Sequence, residues 1–336
     1  MNILVTGGAG YIGAHCCREL AGRGFQPVAY DNLVKGHRQF VRWGDFFQGD
    51  INDRARLDEC LAEAGIEAVM HFAAFIEVGE SVADPGKYYA NNLAGSLQLM
   101  RGLVRHGIRH LVFSSSAAVY GNPQQVPIDE NHPTHPVNPY GWTKRMVETL
   151  LADFERAYGL RWVALRYFNA AGADAAADIG EWHEPESHLI PRILDAAFDG
   201  RRPVQVYGTD YPTPDGSCIR DYIHVADLAR AHVLALEHLL AGGPSGAFNL
   251  GLGQGYSVME VIRQAASVTG KEFSVQARPR RPGDTPVLIA SNQKAFQELG
   301  WSPQFSSLEN IIASAWKWHR KLKELRAESQ MLRVNR

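Results

Sequence analysis

Tyr140 and Lys144 stand four residues apart in NPYGWTKRMVE (138–148), on one face of a helix that begins just after Pro139. About two dozen residues earlier an apolar strand ends in three serines, Ser114, Ser115 and Ser116. Far upstream, the first thirteen residues, MNILVTGGAGYIG, read as a short strand, a glycine-rich turn and the start of a helix. Gly7, Gly10 and Gly13 bring bare backbone N–H groups and the positive end of a helix against a diphosphate, which side chains would hold away. Asp31 follows 18 residues after Gly13, at the end of the second strand. There a carboxylate accepts from both hydroxyls of an adenosine ribose and repels a 2′-phosphate, which favours NAD over NADP.

With such a cofactor the tyrosine acquires a task. A phenol with a pKa of about 10 is a poor base near neutrality. Bringing it to about 7 takes about 4 kcal/mol of differential stabilisation of the phenolate, which a nearby ammonium and a cationic nicotinamide ring would supply. Ser116 would hydrogen-bond and orient the same substrate oxygen. A tyrosine and lysine four apart occur by chance in many helices; their order after a glycine turn and a serine-terminated strand gives them meaning.

Other residues have a chemical and a bland reading. Asp50, after the third strand, faces the adenine amino group or belongs to a cap before Asp53. Ala73 and Ala74, at the end of the fourth strand, let the backbone pass close to the cofactor. Asn91 and Asn92 lie within a helical stretch that disfavours them, facing either the sheet with a polar task or solvent.

Composition sets bounds. The 336 residues are 45% hydrophobic and 21% charged, ordinary for a soluble globular protein, with a net charge of −2 that draws it to neither nucleic acid nor an anionic membrane. The N-terminus reads as a core strand rather than a signal peptide, and no apolar run is long enough to span a membrane. Cys16, Cys17, Cys60 and Cys218 lack disulfide or metal spacing and suit a reducing cytoplasm. No H-E-x-x-H occurs among the 13 histidines, HPTHP (132–136) reads as loop, and no metal is assigned.

Strand segments Asn2–Val5, Pro27–Tyr30, Phe46–Gln48, Ala68–Phe72, His110–Ser114 and Trp162–Arg166 alternate with helical stretches such as Asp53–Ala64 and Asp84–His106. This predicts an α/β fold, a doubly wound parallel Rossmann sheet over residues 1–168, followed by a smaller α/β C-terminal lobe over 169–336 with segments that return to the first sheet. In the second half, helices are expected near His188–Phe198, Val225–Leu240, Ser257–Val268 and Ser306–Leu325, and strands near Val204–Tyr207, at FNLG (248–251) and at Phe273–Ala277. The charged tail after about Lys321 is expected to fray.

Taken together, GGAGYIG (7–13), DNL (31–33), GDI (49–51), VGES (78–81), SSSAAVYG (114–121), PYGWTK (139–144), RYFNAAG (166–172), YPTPDGSCIRDYIHV (211–225), NLG (249–251) and RRPGD (280–284) resemble the UDP-glucose 4-epimerases of the extended short-chain dehydrogenase/reductase superfamily. The likeness runs to about residue 320, and its second-half motifs are the more specific. It implies Ser116, Tyr140 and Lys144 as the catalytic set. Around NAD it places Gly7, Gly10, Tyr11, Ile12, Asp31, Asn32, Asp50, Ile51, Phe72, Ala73, Ala74, Asn91 and Ser114, with Tyr140, Lys144 and Tyr167 at the nicotinamide end. Around a UDP-hexose it places Ser116, Phe168, Asn169, His188, Leu189, Tyr207, Arg220, Arg281 and Asp284. Forked, permanently charged arginines suit a diphosphate; their bland reading is ion pairing with Asp221 or Asp284.

The implied activity is transient oxidation at C4 of the sugar with NAD restored each turnover, in a cytoplasmic homodimer. Three residues depart from the pattern: Ile76 replaces a frequent lysine, Leu288 is intermediate in bulk where size governs N-acetylated sugars, and Trp142 is large for its helix and suits a dimer interface. Epimerisation of UDP-xylose/UDP-arabinose, UDP-glucuronate or a UDP-N-acetylhexosamine keeps the same fold. A 4,6-dehydratase would need an Asp-Glu pair where Ala117 and Ala118 stand. A non-catalytic nucleotide sensor would have no use for an activated phenolate.

Overall fold

The computed structural model describes residues 1–200, 203–281 and 284–334. Its central sheet is built from β1 (Asn2–Thr6), β2 (Gln26–Asp31), β3 (Asp45–Gln48), β4 (Ile66–His71), β5 (His110–Ser114) and β6 (Arg161–Tyr167), each within one or two residues of the expected strand. The order is β3-β2-β1-β4-β5-β6, all parallel. Successive strands are added outward from β1 to β3 on one side and from β4 to β6 on the other, so the strand order reverses between β1 and β4, and the crevice above that switch point is where such sheets take ligands. Strand residues alternate between the two faces. Ile3, Val5 and Met70 pack on one side with Cys16, Cys17 and Leu20 of α1 (Tyr11–Gly22). Leu4, Val69 and Leu111 pack on the other, against α2 (Arg54–Glu63) and α5 (Gly95–Arg105), the latter preceded by the short helices α3 (Val78–Ala83) and α4 (Pro85–Tyr88). Val147, Leu151 and Phe154 of α6 (Pro139–Tyr158) complete that layer.

The second half supplies the small strands β7 (Asn169–Ala171), β8 (Val204–Tyr207), β9 (Ile219–Arg220) and β10 (Tyr222–His224), with α7 (Leu189–Asp199) and α8 (Val225–Leu240). Next comes β11 (Gly246–Leu250), which returns to the central sheet as its seventh strand, parallel to β6. Helix α8 packs on α1, so the apolar layer on that face is built from both halves. The remaining segments, β12 (Tyr256–Ser257), α9 (Val258–Thr269), β13 (Val275–Arg278), β14 (Val287–Leu288), α10 (Gln293–Leu299) and α11 (Leu308–Val334), are distal in sequence. A separate core joins Ile190, Ile193 and Leu194 of α7 to Val261 and Ile262 of α9 and Ile311 and Ile312 of α11.

Two expectations change. The stretch Asp84–His106 is not one helix: between α4 and α5 the backbone opens into a π-helical turn at Tyr89–Ala94. The cause is Asn92, whose buried side chain accepts from Phe75 N (2.9 Å) and donates to Phe75 O (2.9 Å), tying the helix to the loop after β4. The terminal helix, expected to fray from Lys321, continues to Val334.

Candidate active site

A cavity of about 530 Å³ lies above the C-terminal ends of the sheet strands, between the sheet and the second half of the chain. That volume is in the range of small-molecule sites. At its floor the glycine turn runs from β1 into α1. Gly7 has φ +74°, and a Cβ there would meet Ala73 N at 2.9 Å; one on Gly13 would collide with Gly7 O. The turn therefore stays bare. Gly10 caps α1 with no side chain, so the helix presents its first N–H groups to the cavity. Asp31, buried beside the turn, accepts from Ala9 N (3.0 Å) and Leu33 N (2.8 Å). Burial raises its pKa and the two backbone donors pull it down. Each carboxylate oxygen keeps a lone pair for a further donor. A helix N-terminus free of side chains, with an acid at the end of the next strand, fits a dinucleotide: the diphosphate at Gly7–Gly13, a ribose at Asp31.

Gly7, Gly10, Tyr11, Ile12, Asp31, Asn32, Ile51, Phe72, Ala73, Ala74 and Asn91 all line this cavity, as do Ser114, Ser116, Tyr140, Lys144 and Tyr167. At this end α6, capped by the Asn138 side chain and started by Pro139, sets Tyr140 and Lys144 on one face. The buried Lys144 ammonium donates to Ser114 O (2.7 Å) and lies 5.8 Å from the centre of the Tyr140 ring. Ser114 Oγ meets the Tyr167 hydroxyl at 2.6 Å. Ser116 accepts from Ala118 N (3.1 Å), which leaves its own proton free to donate.

The electrostatics bear on the ionisation of Tyr140. Burial pushes the Tyr140 phenol up, and the hydrogen-bonding pull of Ser116 opposes this without overcoming it. Burial also brings the Lys144 pKa down to about 7, against the opposing charge of Glu148. The protein's own groups favour the phenol, and a positive charge brought beside the ring would favour the phenolate.

On the opposite wall stand Phe168, Asn169, His188, Leu189, Arg220 and Asp284. Arg220 donates to Ile219 O (2.9 Å) and Thr285 O (2.8 Å), with Asp284 at 3.8 Å. Asn169 Nδ2 donates to Asp221 O at 2.9 Å. Asp221 itself forms no ion pair with these arginines; its carboxylate accepts from Leu252, Gly253 and Ala290 N–H groups. Three expected residues do not line the cavity. Asp50 is occupied by Asn32 Nδ2 (2.7 Å) and Asn52 N (2.8 Å), while Asp53 caps α2. Tyr207 donates to Gln205 (2.6 Å), and its ring is covered by Arg281 at 5.0 Å. Arg281 pairs with Asp284 at 2.9 Å and is exposed. Ile76 and Leu288 do line the cavity.

Some site residues escaped the sequence reading. Glu148, one turn beyond Lys144, accepts from Ser115 Oγ (2.7 Å) and from Arg166 at 2.9 and 2.6 Å, all of them buried. The loop before α7 contributes Glu181, Trp182 and His183 to the cavity wall. Its E-x-H-x-x-E-x-H spacing (181–188) was the signal for a clustered set of side chains.

Comparison with known proteins accords with this geometry. The model of a family described as "NAD dependent epimerase/dehydratase family" matches residues 3–251. A UDP-glucose 4-epimerase of Rhizobium leguminosarum bv. trifolii is 54% identical over 320 residues, covering 95% of this chain and 98% of the relative. The crystal structure of UDP-glucose 4-epimerase from Brucella ovis in complex with NAD superposes with a TM-score of 0.92 at 52% identity, covering 94% of this chain and 97% of that one. The Bifidobacterium longum enzyme in complex with NAD+ and UDP gives 0.90 at 39% identity, with 96% and 98% covered. With the family's model matching most of the chain and relatives aligned over nearly all of it, this protein belongs to the NAD dependent epimerase/dehydratase family.

Proposed function

We propose that this protein interconverts UDP-glucose and UDP-galactose by oxidising and then re-reducing C4 of the hexose. The observation that carries this reading is a single cavity joining Tyr140, Ser116 and Lys144 to the bare glycine turn on one side and to Arg220 and Asn169 on the other. NAD, when bound, would supply the hydride acceptor and then the donor, and the positive charge of its oxidised ring would favour the Tyr140 phenolate.

The chain's own residues do the rest. Gly7, Gly10 and the α1 N-terminus would hold the dinucleotide's phosphates, and Asp31 would hold its ribose. Tyr140 as phenolate takes the proton of the C4 hydroxyl and returns it at the end. Ser116 donates to the same oxygen throughout, which fixes it while hydride leaves and returns at carbon. Lys144 supports the pair by holding the Ser114 carbonyl. Arg220 serves the diphosphate. With binding energy concentrated on the UDP end, the sugar is held loosely enough to present either face. Leu288 bounds the cavity beside Phe168 and sets the space for substituents on the ring.

The working form is a cytoplasmic homodimer in this reading. Four buried, unpaired cysteines support the location. Trp142, 40% exposed on α6, and Val82, 64% exposed on α3 beside it, support pairing through this face. No helix among the described residues is long and apolar enough to cross a membrane. The test is a panel of UDP-sugars given to purified protein without added oxidant. Turnover of UDP-galactose with about one NAD retained per chain is expected; retained NAD with no turnover of any UDP-sugar would leave a sensor.

A further inference from the structure

We propose that Glu181, His183, Glu186 and His188 form a binding site for a divalent transition-metal ion of the zinc class. One donor atom from each of the four lies within 4.8 Å of all the others. His188 Nδ1 is 3.0 Å from Glu181 Oε1 and 3.1 Å from Glu186 Oε1. His183 Nδ1 is 3.5 Å from Glu181 Oε1 and 3.5 Å from Glu186 Oε2. Bonds of about 2.0–2.2 Å to nitrogen and oxygen place neighbouring ligands of a tetrahedral zinc ion roughly 3.3–3.5 Å apart. The two separations from His183 match that spacing and the two from His188 are a few tenths of an ångström shorter, with imidazoles and carboxylates alternating around one centre.

A second observation points the same way. His183 Nδ1 is fully buried, faces both carboxylates and makes no hydrogen bond of acceptable geometry. A buried ring nitrogen that makes no hydrogen bond is costly unless something else satisfies it, and a metal ion at the centre of the four atoms would. The donor set decides the class of ion. Two imidazoles with two carboxylates suit zinc, cobalt or nickel, whereas calcium and magnesium want oxygen ligands throughout. With neutral imidazoles the two carboxylates balance the ion's charge.

The loop is already held in shape from outside. Lys35 Nζ donates to Glu184 O (2.9 Å), Ser187 Oγ donates to Glu77 (2.7 Å), and Trp182 stacks on His37 at 3.9 Å. These ties fix the donors in advance, and a bound ion would staple the loop that walls the cavity. The ion takes no part in the proton transfer at Tyr140, which uses none of these side chains.

Chelator-treated full-length protein, dialysed against Co²⁺, tests the site. The expected result is one ion per chain with the intense visible absorption of tetrahedral cobalt, displaced by Zn²⁺, and a higher melting temperature with Zn²⁺. Glu186→Gln and His183→Gln should each lower the affinity at least about tenfold. Glu184→Gln, in the same loop but outside the cluster, should bind as the unaltered protein does. Substoichiometric binding, the weak spectrum of a water-coordinated ion, or full affinity in both cluster variants would overturn the proposal. Should a cluster variant fail to fold, the stoichiometry and spectrum of the unaltered protein still decide.

Discussion

Tyr140 is placed where its hydroxyl is useful and its ionisation is unfavourable. Burial raises its pKa, so its base strength depends on charge brought close to it. Removal of that oxygen in Tyr140→Phe should cut turnover by about 10²–10⁴-fold, the usual range for a general acid–base group, while the protein retains its NAD, checked by absorbance after denaturation. Glu148 tunes the neighbour. Its charge favours the Lys144 ammonium, whose pKa burial has brought to about 7. Loss of that charge in Glu148→Gln lowers the lysine's pKa further, so the ammonium disappears at lower pH. The alkaline limb of the kcat–pH profile should then move toward acid, and an unmoved limb would remove Lys144 from the titration. Ser116, Tyr140 and Lys144 were legible in the sequence because helical spacing and a strand end fix their relation locally. The Glu148–Arg166 pair was not, since α6 and β6 meet only through tertiary packing, and Tyr207 and Arg281 show that a motif's presence does not place its side chains.

Among the elements, the alternation of strand and helix carried the first half of the fold, with boundaries met to within one or two residues at β1 through β6. The π-helical turn at Tyr89–Ala94 was invisible to periodicity. The pair Asn91–Asn92 marked the place, but only the Phe75 backbone explains it. Such turns are common at functional sites, and here one sets Asn91 on the cavity wall while burying Asn92. Asn92→Ala would leave the Phe75 N–H and carbonyl without their partner. A loss of about 1–3 kcal/mol is expected, read as a lower urea midpoint; an unchanged midpoint would mean the turn is held by other contacts.

At the scale of the whole molecule, the composition reading that the second half returns to the first sheet acquires a definite form in β11 and α8. What the sequence could not supply was the partner of each returning segment, because parallel pairing between β6 and β11 joins residues about 80 apart. Two buried histidines have a consequence for pH. His15 and His71 are held as neutral rings, and burial keeps both pKa values down to about 3. His71 is fixed between Thr6 (2.6 Å) and Ser96 (2.8 Å). Below about pH 6.5 the unfolded chain takes up protons that the folded one refuses, so this stability is full above that pH and falls progressively toward pH 3. The urea midpoint should drop from pH 7 to pH 5, and His71→Gln should make that drop smaller; an equal drop in the variant would exclude His71 as a source.

In this mechanism hydride leaves C4 and returns to the same carbon without entering solvent. UDP-glucose carrying deuterium at C4, incubated with the purified protein in ordinary water, should give UDP-galactose with the deuterium still at C4. Loss of the label to solvent, or uptake of solvent deuterium at C4 when the experiment is run in heavy water, would contradict it.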